Sequence, residues 1–387
     1  MIEVIILTAV LMYKFGPALS GLSYTRLDNA LLNHEQRRGR LVWTIQISAL
    51  LVVAACLYTR VDVGCAYLGG HYARLAADPF AFDADNPVSY RILTPLISYL
   101  LGLRQGCMIN LTNLIMAGLL IGWVYATFRK VAARPGDAFL AAVTITCSLA
   151  VLTSIYCGGY TDVSTYLVIF LMWRYRDRRI LFHVLFLLGL FNRESIAFLI
   201  PWFILISLQD ARKKSLRILE LALGFIATLS LYYLFRLWVS SQQDVIYSLD
   251  YYIRPFLEDP IGRIRHTAPY HGLGLFSVFT LLWVFPVMAA IAWWKERAHY
   301  ELLGLILLVF CPYMQLFIAD DTSRLFTLGF MIMIVALHKL LTTASTHFRK
   351  YAFWLILLNL FVPQLYTAGD TVEVFQSAST YLFNLVW

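Results

Sequence analysis

Charge is scarce in this chain. Asp, Glu, Lys and Arg make up 14% of its 387 residues, while 60% are hydrophobic. A water-facing surface needs a far larger charged share. Long polar stretches are missing as well: the longest run to about 30 residues, too short to build an independent core. There is no internal repeat and no low-complexity tract. These absences exclude a soluble enzyme and leave loops and segment ends as the places for function. The six cysteines contain no CxxC pair and no metal-ligand spacing, which excludes a zinc ribbon or a thioredoxin-type site. Cys56, Cys147 and Cys311 lie in apolar runs and read as packing residues. Cys65 and Cys157 share one face of the expected topology, where a disulfide would be feasible though nothing demands it.

What is present is apolar length. Runs near 42–58, 107–127, 138–156, 216–237, 273–294, 301–318, 325–341 and 351–366 are mostly long enough to span a bilayer. With the shorter apolar pieces, about ten hydrophobic segments result. The expected fold is all-α: one polytopic integral membrane domain over 1–387. The net charge of +8 does not indicate nucleic acid, because the basic residues cluster in short loops between spans, the usual topology signal. The opening "MIEVIILTAVLMYKFGP" has an early Glu3 and no clear cleavage site, and reads as an interfacial or first membrane helix rather than a removed signal.

Basic loops belong in the cytoplasm. "EQRRGR" (35–40) and "FRKVAARPG" (128–136) therefore share one side. Between them 42–58 and 107–127 cross, 59–90 forms an external loop, and 91–103 is a short helix at the outer surface. Further external pieces are the turns 157–162 and 319–324 and the loop 238–271. Thr161 or Asp162 is placed to cap the apolar piece that follows.

One stretch breaks the apolar pattern from within. "LLGLFNRESIAFLIP" (187–201) carries Asn192, Arg193, Glu194 and Ser195, and charges at that depth are costly and usually functional. Its flanks, "RYRDRR" (174–179) and "DARKKSLR" (210–217), are both basic and so lie on the same side. Two half-length helices, up and then down, satisfy that, with Asn192–Ser195 as the tip inside the membrane; the alternative is one tilted helix with a reversed topology downstream. Adjacent Arg193 and Glu194 would point about 100° apart on a helix and need different partners: for Arg193 a phosphate or Asp162, for Glu194 an arginine or a sugar hydroxyl. A buried ion-pair network bracing the hairpin is the competing reading.

The polar clusters collect on the non-cytoplasmic face. Asp62 follows the span 42–58 by about one turn, a partly desolvated setting suited to a general base. Tyr67, Tyr72 and Tyr90 offer aromatic surfaces. Arg91, Arg193 and Arg324 sit at ends of apolar runs, where a guanidinium fork suits a phosphate. Arg254, Arg263 and Arg265 are weaker candidates. Asp320 and Asp321 could hold Arg324, cap the next helix or, with further oxygens from Asp162 or Asp62, bind a divalent metal. No motif calls for that metal or for any other cofactor. His71, His266 and His271 are external and could contact a sugar, but form no metal-binding pattern.

The order of these elements carries a resemblance. A span followed at once by Asp62, then Tyr67, then an amphipathic piece closing in "YRILTPLI", with "GGYTD" (158–162) and "NRES" (192–195) beyond, resembles the GT-C superfamily of polyprenyl-phosphate-sugar-dependent membrane glycosyltransferases. It covers residues 55–200 and the general span count. Departures are that no adjacent acidic pair follows the first span and no large soluble domain follows the last spans. The resemblance implies an inverting transfer of a hexose or pentose from a polyprenyl-phosphate donor to a glycan, lipid or protein acceptor. It also implies an active face outside a bacterial inner or plasma membrane, with Asp62 as general base. The donor phosphate would meet Arg91, Arg193 and Arg324. Tyr67, His71, Tyr90, Tyr160, Asp162, Asn192, Glu194, Asp320 and Asp321 would bind or support substrate. The alternatives are a transporter or flippase for a lipid-linked or anionic substrate, because charged half-helix tips also serve transporters, and a non-catalytic assembly subunit.

Overall fold

The computed structural model describes residues 24–59, 64–65, 68–82, 88–132, 134–209, 214–243, 254, 257–315, 322–343, 346–362, 364–368 and 371–374, without the side chains at 214, 260, 263–267, 322, 346–347 and 368. The expectations for the N-terminal segment, for Asp62, Tyr67, Asp320 and Asp321, and for the side chains of Arg263, Arg265 and His266 lie outside the described residues.

The chain is helical almost throughout. A polar helix α1 (Tyr24–Arg38) turns at Gly39, whose φ of 78° suits glycine, into α2 (Arg40–Tyr58). Next come α3 (Leu68–Ala77), α4 (Leu93–Leu100), α5 (Ile109–Val131), α6 (Pro135–Thr146), α7 (Leu149–Tyr156) and α8 (Asp162–Arg174). Then follow α9 (Arg179–Asn192), a 3-10 turn (Glu194–Leu199), α10 (Ile200–Gln209), α11 (Lys214–Ser240) and α12 (Pro260–Phe279). The last helices are α13 (Val284–Lys295), α14 (His299–Met314), α15 (Thr322–Phe326), α16 (Met331–Thr343) and α17 (Thr346–Asn359). A small antiparallel hairpin closes the described chain, β1 (Leu365–Ala368) against β2 (Thr371–Val374), with Leu365 opposite Val374.

Five helical stretches are long and apolar enough to cross a membrane: Arg40–Tyr58, Gly106–Val131, Ser215–Ser240, Ala268–Lys295 and Ser323–Thr343. α6 and α7 make a sixth if their 47° bend is one broken span. The chain is thus a multi-pass membrane protein, with five or six long crossings among the described residues where about ten segments were expected. The expected ten included half-length pieces, and shorter apolar helices are present beside the long ones: Arg179–Asn192, Glu194–Gln209 and His299–Met314. The run 351–366 likewise stops as a helix at Asn359 and continues into β1. The side chain of Asn359 turns inward, accepting from the Leu281 N–H at 3.0 Å and from the Thr280 hydroxyl. It thereby fills the break between α12 and α13, where Thr280 has a φ of 49°.

The hairpin expected around Arg193 is present. The rings of Phe182 and Phe203 lie 5.8 Å apart, whereas a continuous helix would separate them by about 32 Å. α10 therefore runs back beside α9, and both pack on α11 through Phe225, 4.8 Å from Phe186. The reversal comes at Arg193, which is extended at φ −161°, ψ 115°. Pro201 suits the first turn of the returning helix, where an N–H would go unused.

Polar contacts tie the helix ends into two layers. At one end Arg129 holds Glu35 (2.8 and 3.1 Å), Tyr24 and Arg349 meet Asp137 (2.5 and 2.9 Å), and Gln209 donates to Glu301 (2.9 Å). This end carries the basic loops. At the other, Asn110 accepts from the Gly159 N–H, Tyr58 donates to the Leu360 carbonyl (2.9 Å), and Ser323 bonds Ser277 (2.9 Å) and Thr367 (2.8 Å). Cys65 and Cys157 are not joined in a disulfide.

Two outcomes follow from these layers. A methyl group at Gly69 would overlap the carbonyl of Gly158, so Gly69→Ala lowers stability by about 1–3 kcal/mol, read as a drop in melting temperature in detergent. Glu35 responds to pH. Burial pushes its carboxyl up, but hydrogen bonds from Arg129 and Arg40 pull it further down, below the usual 4.5. Its stabilisation is present above the unfolded value and is lost as pH falls through the folded one. The melting advantage of the wild type over Glu35→Gln should therefore hold above about pH 5 and vanish in stronger acid. A constant advantage would show that Glu35 does not act as a charge.

Candidate functional site

The short helices set the depth of the polar cluster. α8 has 13 residues and α9 has 14, so each climbs about 20 Å from the basic end. The hydrocarbon core is about 30 Å thick. Asp162 at the start of α8 and Arg193 at the end of α9 therefore stop about 10 Å short of the opposite surface, while the long helices continue past them. From these lengths we read a recess toward that end, floored by the tips of the short helices.

The floor is a buried triad. Asp162 Oδ1 accepts from Arg193 Nη1 at 2.5 Å and from Arg324 Nη2 at 3.2 Å, and Oδ2 accepts from Arg324 Nε. All three side chains are nearly solvent-free, at 2–6% exposure. The Arg324 guanidinium also lies over the ring of Tyr160, 4.3 Å from its centre. One carboxylate thus serves two guanidiniums, and Arg193 Nε, also buried, has no hydrogen-bond partner. Asn192 locks the tip in place. Its Oδ1 accepts from Thr94 Oγ1 (2.6 Å), and its Nδ2 donates to the Thr161 carbonyl (2.9 Å) and Thr165 Oγ1 (2.6 Å). The N-cap expected of Thr161 or Asp162 is absent: no side chain caps α8, because both Asp162 oxygens are taken by the arginines.

The rim lies one residue further along. Glu194 accepts a two-pronged bond from Arg91 (Nε 3.0 Å, Nη2 2.8 Å), and Arg91 Nη1 donates to the Tyr72 hydroxyl at 3.1 Å. This pair is half open, with side chains 17% and 36% exposed. Beside it the Tyr90 hydroxyl lies 3.0 Å from Ser240 Oγ and donates to Gln243 Oε1 at 3.4 Å, while Gln243 Nε2 donates to Ser89 Oγ at 3.0 Å. Arg236 covers the Tyr90 ring at 4.3 Å. These bonds latch the end of α11 to the segment that carries Arg91.

Eight of the expected site residues therefore meet: Tyr90, Arg91, Tyr160, Asp162, Asn192, Arg193, Glu194 and Arg324. Arg193 and Glu194 do take different partners. His71 stands apart on α3 beside Arg74, at 2.6 Å, and Arg254 faces Glu258 at 3.9 Å with both exposed. Among the described residues no three His, Cys, Asp or Glu side chains converge as a metal site would. Sequence reasoning did not single out Arg236, Ser240, Gln243, Thr94 or Thr165. Arg236 carried a usable signal, since it is a charge inside the apolar run 216–237; the neutral residues carried none.

The two carboxylates should differ sharply on neutralisation. Asp162→Asn takes the shared carboxylate from two buried guanidiniums and costs about 3–5 kcal/mol. Glu194→Gln, at the less buried rim, costs less, about 1–2 kcal/mol. Thermal unfolding of the detergent-solubilised chain measures both; equal losses would mean that the recess is not graded in depth as described.

Compared with protein-family models, with curated proteins and with solved structures, the chain matches none.

Proposed function

We propose that the recess binds the phosphate of a polyprenyl-linked sugar, and that the chain is a GT-C-type glycosyltransferase acting on the non-cytoplasmic face of a bacterial inner or plasma membrane. The observation that supports this most is the floor: Asp162 shared by Arg193 and Arg324, with Arg193 Nε unpartnered. Arg193 is buried with its Nε unpartnered and so can donate to a further anion, for which a phosphate supplies the oxygens. A lipid phosphate reaches that depth from the bilayer side, which a soluble anion does not.

The chemistry then runs as a single displacement. Asp62, which follows α2 in the sequence, takes the proton of the acceptor hydroxyl. The acceptor oxygen forms its bond to the anomeric carbon from the face opposite the phosphate. The bond from that carbon to the phosphate oxygen breaks, and polyprenyl phosphate leaves with the electron pair. Inversion follows from the geometry. Arg193 and Arg324 stabilise the charge that develops on the leaving phosphate, in a site already organised before reaction. Arg91 and Glu194 at the rim lie where the sugar would sit, with Tyr90 and Tyr160 as apolar faces for its ring.

The test is transfer itself. Purified chain supplied with polyprenyl-phosphate sugars should produce free polyprenyl phosphate and a glycosylated acceptor, both read by mass spectrometry. The lipid carrier that accumulates in a deletion strain identifies the sugar. Asp62→Asn should lower turnover by about 10²–10⁴-fold with an unchanged melting temperature. Full activity in that variant removes Asp62 as base. Uptake into proteoliposomes without a covalent product would establish a transporter instead.

A further inference from the structure

A second cavity lies at the basic end, on the far side of the bundle from the recess. It holds about 520 Å³ and is walled by the ends of α5, α8, α10, α13, α14 and α16. Trp173 and Trp293 line it together with His338, whose ring lies 6.0 Å from that of Trp173, nearly edge-on. Four cations, Lys130, Arg174, Arg176 and Lys339, face it against two acids, Glu296 and Glu301. Both acids are already engaged. Lys339 Nζ meets Glu296 at 2.5 Å, and Gln209 donates to Glu301 at 2.9 Å.

The cation excess is concentrated on one wall. Lys130 closes α5 and Arg174 closes α8, and neither is in an ion pair among the described residues. Basic residues at helix ends ordinarily spread over a convex, solvated face. Here they border a hollow with indole side chains in its lining, which a topology signal does not require. We infer that this cavity is a binding site for a phosphate group, held by Lys130 and Arg174, with the ligand's uncharged part against Trp173 and Trp293 and its hydroxyls toward Glu301 and Gln209. The same chemistry comes from two sources, a soluble phosphorylated compound or the headgroup of an anionic glycerophospholipid. The inference is independent of glycosyl transfer, because it shares no side chain with the recess.

The probe is inorganic phosphate, titrated at constant ionic strength into the full-length chain in detergent, with tryptophan fluorescence as the readout. A saturable change is expected. The double variant Lys130→Gln/Arg174→Gln should move its midpoint upward by about ten-fold or more, with the melting temperature unchanged. Arg193→Lys, in the recess, should leave it in place. No saturable change, a midpoint that survives the double variant, or a loss caused by Arg193→Lys overturns the site. The source is then read by native mass spectrometry of protein taken from phosphatidylglycerol–phosphatidylcholine vesicles. Retained phosphatidylglycerol that disappears in the double variant identifies a headgroup site, and equal retention identifies a soluble phosphate.

Discussion

The bond between Asp162 and its two arginines fixes more of this molecule than any other contact. Arg193 lies 31 residues from Asp162 and Arg324 lies 162 away, so one carboxylate joins α8, the tip of the α9–α10 hairpin and α15. A guanidinium alone at that depth is expensive, which leaves these elements little freedom to end elsewhere. The consequence is geometric. Helices whose charged ends must meet inside the apolar layer cannot be full spans, and the long helices around them turn their shortfall into a recess. Apolar side chains of similar volume would hold the helices together at least as well. What the ionic floor adds is a positive potential at the bottom of a hole in the membrane.

Floor and rim differ in what they can do. Asp162, Arg193 and Arg324 are sealed and held from behind by Asn192, which is bonded to Thr94, Thr161 and Thr165. Such a group cannot reorient cheaply, which is the condition for electrostatic preorganisation. Arg91 and Glu194 are half open and bonded to each other on two prongs. Solvent or ligand can compete for that pair at modest cost. The latch of Tyr90, Ser240, Gln243 and Ser89 holds the backbone under Arg91 in place. Ser323, bonded to Thr367 on β1, does the same under Arg324. The small hairpin β1–β2 is thereby explained as a buttress for α15.

Much of this was legible in the sequence, and the limits are physical. Equal basic flanks at 174–179 and 210–217 favoured a chain that doubles back over a single tilted helix, and the hairpin is what the structure has. The separate partners of Arg193 and Glu194 followed from helical geometry. Charge bias gives the side on which a segment ends but not its length, and an apolar run of a dozen residues looks the same as a buried helix or as part of a span. That is why the run 301–318 reads as a span and folds as the shorter helix α14. The end of α17 at Asn359 was hidden because its cause is remote: Asn359 is bonded across the bundle to Thr280 and Leu281. The sharing of Asp162 with Arg324 was equally invisible, since no local pattern links residues so far apart.

The polarity of the helices accounts for the direction of the central ion pair. α8 begins at Asp162 and α9 ends at Asn192, with Arg193 as the next residue. The two helices run antiparallel, so the positive pole of α8 and the negative pole of α9 lie side by side at the floor. A carboxylate at the first and a guanidinium at the second each face the favourable pole, and α8 is buried along most of its length, so the dipole is little screened. Arg174 at the other end of α8 completes the pattern, a cation at its negative pole. The salt bridge between Asp162 and Arg193 therefore does not merely join two helices; it joins them in the one arrangement of charges that both backbones already favour.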